Sequence, residues 1–182
     1  MARRDAEENR ARVIAAAREV FASSGIDAPL DAIARRAGVG RATLYRNFPD
    51  RSALVAAIFE DNLAALEALV KGRSDQPDAF MTLLSTIVEQ EVEARALIPS
   101  IMTGTSVPDL RGLVRRVKRL LTAPLRAAQA AGAVRGDLTI TDVIHVLSMI
   151  AAVVMQDASP ASRRRHARRA LELLIDGLAP RS

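Results

Sequence analysis

The chain has 182 residues, of which 49% are apolar, with no cysteine, no tryptophan, one tyrosine and a formal net charge of +5. That apolar content is enough for a buried core and excludes a disordered chain. The missing thiols exclude disulfides, thiolate metal sites and cysteine nucleophiles, and the scarcity of rings argues against base stacking on single strands or RNA.

The positive balance makes a polyanion the natural partner, nucleic acid before an anionic membrane, though a basic protein with no special partner would carry the same charge. The first residues, MARRDAEENRARV, are charged and hold no apolar run, so they do not read as a secretory signal. The longest apolar stretch, Val143 to Met155, contains His145 and Ser148 and is too short to span a bilayer. The expectation is a cytoplasmic, all-α protein, since no segment alternates with the period of a strand.

Taken in chain order, the first helix is expected over Glu7–Ser24, where Ile14, Ala17, Val20 and Phe21 recur on one face and Gly25 ends the run. Pro29 opens a short second helix carrying Ile33 and Ala34 and closing at Gly38. A third, Arg41–Asn47, follows a tight turn. The fourth runs over about Asp50–Lys71, with Val55, Phe59, Leu63, Leu66 and Val70 along one side. Further helices are expected at Pro77–Glu93, Ala94–Met102, Asp109–Ala131, Thr141–Gln156 and Ala161–Leu178, about nine in all, with Thr103–Pro108 as a loop. Thr139 with Asp142 resembles a capping box, and Ser159 with Pro160 a cap and first turn.

The strongest local signal is LDAIARRAGVGRATLYRNF, from Leu30 to Phe48. Two short helices meet at Gly38, Val39 and Gly40, the sharp turn that a helix-turn-helix needs. Ile33, Ala34, Val39 and Leu44 can share a small core. Arg41, Thr43, Tyr45, Arg46 and Asn47 then present hydrogen-bond donors outward on a helix that fits the major groove. From Leu30 to Arg51 five arginines oppose Asp31 and Asp50, so the segment carries 5 − 2 = +3. A helical hairpin with a solvated basic face is the plainer alternative.

These residues resemble the DNA-binding domain of the TetR family. RVIAAAREVFASSG is similar to that family's first helix, and DAIARRAGVGRATLYRNFPDRSAL to its helix-turn-helix and the start of its fourth helix. The likeness is long and specific over residues 10–59; beyond it only the helix count and AGAVRGDLTITDV agree. It implies a three-helix DNA-binding domain over 1–51 and a helical effector-binding and dimerisation domain over 52–182.

Residue by residue, the resemblance puts Arg41 and Thr43 where bases or adjacent phosphates are read, and Tyr45 and Asn47 where the backbone is gripped. Asn47 replaces a frequent His. Arg51 takes the place of a common Lys at the start of the fourth helix, and Arg35, Gly40 and Arg46 complete the expected DNA-facing set. Ala28 and Pro29 stand where the family often has a capping Thr or Ser, which leaves Asp31 as the available cap.

The resemblance also implies an effector pocket among the body helices. The candidates for its lining are Phe80, Met81, Leu84, Met102, Val117, His145 and Met149, with Ile87 and Val114 beside them. Apolar residues at helical spacing are also what plain core looks like, and His145 reads equally as a core or interface histidine. The last two helices are apolar on more than one side, as a homodimer interface or a second intrachain core would require. The run RRRHARR, Arg163–Arg169, reads as a solvated face or as partners for acids across a dimer.

No cofactor and no metal are expected, and no enzyme, since no nucleophile set, phosphate loop or ligand spacing is present. The expected partners are a double-stranded operator, a small apolar or amphipathic effector and a second copy of the chain; no membrane is expected. The reading is a ligand-responsive regulator, a repressor by family habit. A ligand-independent DNA-binding dimer and a basic membrane-surface protein are the alternatives.

Overall fold

In the computed structural model, residues 2–97, 110–156 and 159–178 are described, and every regular element among them is helical. The eight α-helices are α1 (Ala2–Ser24), α2 (Leu30–Ala37), α3 (Arg41–Asn47), α4 (Arg51–Leu69), α5 (Ala79–Glu93), α6 (Leu110–Ala130), α7 (Ile140–Gln156) and α8 (Pro160–Leu178). The helix expected over Ala94–Met102 is a single 3-10 turn at Arg95–Leu97 as far as the described residues go. The predicted loop at 103–108 lies outside them.

The chain divides into two compact units. One is built on the residues up to Asp61, the other on Asn62–Arg95 and the chain from Arg111, so α4 begins in the first and ends in the second.

In the first unit α1 packs on α2 and α2 on α3. Val13, Ala17 and Phe21 of α1, Ile33 of α2, Leu44 of α3 and Leu54 of α4 are all shut off from solvent. Each large apolar side chain so buried is worth about 1.5–3 kcal/mol. A seven-residue helix is too short to hold itself together in water, so Leu44 in this core is what keeps α3 folded. Val39, expected in the same core, is only half-buried.

In the second unit α5, α7 and α8 pack on one another, with Phe80, Leu83 and Leu84 of α5 and Ile150 and Val154 of α7 buried. The start of α7 is the expected capping box. Asp142 Oδ2 accepts from the Thr139 amide at 2.8 Å, and the Asp142 amide donates to Thr139 Oγ1 at 3.2 Å. Those bonds from Thr139, the hydroxyl first, hold the Asp142 carboxyl below its usual range. Ser159 caps α8 as expected, its Oγ accepting from the Ser162 amide at 3.1 Å.

The basic run on α8 is partnered within the chain rather than only across a dimer. Arg164 faces Glu93 of α5 at 3.9 Å, Arg169 pairs with Glu172 at 3.1 Å, and Arg163 is buried. Arg164 and Arg168 line an open groove together with Glu89 and Glu93, a feature the sequence reading did not contain.

Candidate nucleic-acid interface

The turn between α2 and α3 follows from one glycine. Gly38 adopts φ 63° and ψ 36°, the left-handed region that other residues enter at a cost. Its amide donates to the Arg35 carbonyl at 3.1 Å and the Val39 amide to Ala34 at 3.1 Å, the paired bonds that close a helix C-terminus. Gly40 is different. It caps α3 with φ −66° and ψ 146°, ordinary extended backbone, and a Cβ there would meet nothing closer than Thr43 Oγ1 at 3.9 Å.

α3 then shows one side to the core and the other to solvent. Leu44 is buried, while Arg41, Tyr45, Arg46 and Asn47 are exposed and Thr43 is half-buried. Several of these side chains are already arranged. Arg41 Nε lies 3.2 Å from Asp31 Oδ1, and its guanidinium stands 5.6 Å from the centre of the Tyr45 ring. Arg46 donates to Thr43 Oγ1 at 3.2 Å, and Asn47 Nδ2 donates to the Thr43 carbonyl at 2.8 Å. Arg35 of α2 is exposed.

Asp31 does not cap α2. That helix starts after Pro29 with no side-chain cap bond, and the Asp31 carboxylate serves Arg41 instead. Proline at the position before the helix has already removed one amide that would need a cap.

Arg51 is exposed by only about a third and points back into its own unit. Its Nη2 donates to the carbonyls of Asp27 at 3.1 Å and Ala28 at 2.9 Å, and Nη1 lies 3.5 Å from Asp27 Oδ1. The start of α4 is capped by Asp50, whose Oδ1 accepts from the Ala53 amide at 2.7 Å. Two arginines of α1 that the sequence reading passed over also reach this region. Arg12 Nη2 donates to the carbonyls of Ala37 and Gly38, and Arg10 stands over the Phe48 ring at 5.5 Å. No helical periodicity marks such residues, because their partners, two backbone carbonyls and a ring, lie 25 or more positions away.

Residues 13–58 match the family model for bacterial regulatory proteins of the tetR family, and residues 75–180 match the SbtR-like C-terminal domain of transcriptional regulators. The chain belongs to the TetR family of transcriptional regulators. A solved TetR transcriptional regulator from Streptomyces coelicolor is 34% identical, with 95% of this chain and 99% of that one covered and a TM-score of 0.71. A TetR regulatory protein from Mycobacterium vanbaalenii is 28% identical over 98% of this chain and 99% of its own, also at 0.71. Among curated relatives, the HTH-type transcriptional regulator SrpR of Pseudomonas putida is 44% identical over 64 residues, a match spanning 35% of this chain and 30% of that relative. The TetR-family protein described here is therefore a DNA-binding transcriptional regulator with an all-α fold.

In its body the expected lining residues separate. Phe80 and Leu84 are buried within α5, Met81 and Val117 are half-buried, and Met102 lies outside the described residues. His145 and Met149 are exposed and line an open groove with Arg135, Asp137 and Asp142, so the structure does not bring them together with Phe80. His145 is accordingly not a core histidine of this chain. The body also holds buried polar groups that apolar periodicity could not reveal. Asn62 is buried and its carbonyl accepts from Gln90 Nε2 at 3.2 Å, and the neighbouring Glu91 has an enclosed Oε2 that receives no hydrogen bond. Burial pushes the Glu91 carboxyl up to about 8. Among the described residues, no helix is long and apolar enough to cross a membrane.

Proposed function

We propose that this TetR-family regulator acts as a homodimeric repressor that sets α3 of each subunit into the major groove of a near-palindromic operator and leaves it when a small apolar or amphipathic effector binds the body. The observation that carries the DNA half of this reading is α3 itself: a helix folded only through Leu44, with Arg41, Tyr45, Arg46 and Asn47 on its free side. Arg41 is the base-reading candidate. Its Nε side lies against the Asp31 carboxylate as an ion pair, which leaves the Nη1–Nη2 edge to meet guanine O6 and N7. Tyr45, 37% exposed, is the candidate for a phosphate contact. DNA contact is assigned to residues 1–51, effector binding and pairing to 52–182. Phe80 and Leu84, buried, and Met81 and Val117, half-buried, are the remaining lining candidates.

The test is selection of bound fragments from the source genome, then titration of the recovered duplex with variants. Arg41→Ala should relax sequence choice and cost about 1–3 kcal/mol on the selected duplex. Tyr45→Phe should weaken all duplexes evenly. Equal loss by Arg41→Ala on selected and random DNA would remove the base-reading role. Release of the selected duplex by apolar compounds tests the effector half, and a protein that none of them releases would be the ligand-independent dimer instead.

A further inference from the structure

We propose that Arg12 and Arg51 are positioning residues for the reading helix: they fix the turn that leads into α3 and the segment that leaves it, and they do not serve as phosphate contacts. The inference rests on the reading that α3 lies on DNA.

The leading turn is the place to begin. Closing α2 through the Gly38 and Val39 amides satisfies Ala34 and Arg35 but leaves the carbonyls of Ala37 and Gly38 pointing out of the helix end. Arg12 Nη2 donates to both, at 2.6 and 3.0 Å. A cation there also meets the negative end of the α2 dipole. The contact is close enough that a Cβ on Gly38 would stand 2.8 Å from Arg12 Nη2. α3 starts three residues later, so its direction is set where Arg12 holds the chain.

The trailing segment is held in the same manner. Phe48 ends α3 with its amide on the Leu44 carbonyl at 2.8 Å, and its buried ring lies under Arg10 of α1. Arg51 follows at the first position of α4 and ties that point to the loop before α2 through two carbonyls and the Asp27 carboxylate. Its Nε is enclosed without a hydrogen-bond partner. Nη2 is therefore engaged and Nε shut in, Nη1 has only the 3.5 Å ion pair with the exposed Asp27 carboxylate, and a phosphate reached through Nη2 would cost the two carbonyl bonds.

Base readout tolerates far less displacement than attraction to phosphate does. Loosening either tether should therefore damage sequence choice and spare general affinity. A direct phosphate contact would behave in the opposite way, lowering affinity for every duplex and making the salt dependence shallower.

The experiment uses the full chain, the duplex selected by the wild-type protein and a scrambled duplex of equal length and composition, both titrated by fluorescence anisotropy across a series of KCl concentrations. Arg12→Met and Arg51→Met keep the aliphatic stem and remove the fork. Each should lose about 10-fold on the selected duplex, the worth of a charged hydrogen-bond pair. Each should keep the wild-type affinity and salt slope on the scrambled one. Equal loss on both duplexes, with a slope shallower by about 0.9 for each copy of the residue on the DNA, would make the residue a phosphate contact and overturn the proposal. No loss on either would overturn it as well.

Arg12→Lys guards against a variant that fails to fold, since it keeps the charge and most of the stem. It should fall between wild type and Arg12→Met on the selected duplex and match wild type on the scrambled one; full recovery on both would show that a point charge suffices and would overturn the paired-carbonyl role. A wild-type protein that prefers no duplex would bring down the DNA reading of α3 itself, before any variant is made, and the proposal with it.

Discussion

A carboxyl group gives up its charge where water is withheld and nothing replaces it, and Glu91 is in that position. Its Oε2 is enclosed, no hydrogen bond reaches it, and its pKa stands near 8 against an ordinary 4.5. The folded state therefore holds this proton more tightly than the unfolded chain does. The sign follows directly: the stabilisation from the neutral acid is complete below pH 4.5 and is lost as pH rises toward 8. Within that window the slope is at most about 1.4 kcal/mol per pH unit. Glu91→Gln keeps the shape and cannot ionise, so it should gain on the wild type steadily across the window. Urea unfolding of both proteins at one fixed protein concentration measures the difference, because the pairing proposed above would make stability depend on concentration. Parallel stability curves from acid to alkaline pH would show that the Glu91 carboxyl finds a partner or water in solution.

At the scale of elements, the two glycines of the α2–α3 turn look equivalent in the sequence GVG and are not. Gly38 takes a left-handed conformation, whereas Gly40 has backbone angles open to any residue. Gly38→Ala should cost about 1–2 kcal/mol from the backbone alone, with a further loss if the new Cβ displaces Arg12. Gly40→Ala should leave the thermal midpoint in place, since its backbone angles suit any residue and a Cβ there meets nothing closer than 3.9 Å. Thermal unfolding separates the two, and equal melting losses would contradict the assignment. The pair also shows what could be read in advance. Helix positions followed from apolar spacing and punctuation, and α3, the Thr139–Asp142 box and the Ser159 cap fall where the sequence places them. Side-chain partners did not, because spacing says which face a residue occupies and nothing about what lies opposite. Asp31 was expected as a cap and pairs with Arg41; Arg51 was expected toward DNA and holds the Asp27–Ala28 carbonyls; Met149 was grouped with Phe80 and faces an open groove. Each of these depends on how one segment packs against another, which a single chain's pattern does not encode.

For the whole molecule the decisive question is what covers the last two helices. α7 and α8 bury Val143, Ile150, Val154 and Leu171 within the chain, yet Met149 is 51% and Leu173 is 55% exposed. A single exposed leucine is unremarkable on any surface. Two large apolar side chains on the two helices that the family reading assigns to pairing are better accounted for by a second copy. In a two-fold interface each residue is buried twice, so covering the exposed half of Leu173 would contribute about 1.6–3.3 kcal/mol to association, at 1.5–3 kcal/mol for a full burial. Leu173→Glu would forfeit that and add two carboxylates that must be desolvated. The dimer should weaken by at least about 100-fold, at 1.4 kcal/mol per decade. Because Leu173 already faces water in the single chain, the substitution should leave the monomer's helix content and unfolding cooperativity in place, which Leu174, half-buried, would not guarantee. Light scattering with circular dichroism gives both readings on one sample. A helical monomer that also loses the selected duplex would tie pairing to operator binding, since two linked reading helices bind far more tightly than either alone. A native-like dimer of the Leu173→Glu variant would move the interface off this face of α8, and the exposed Met149 and Leu173 would then be ordinary surface.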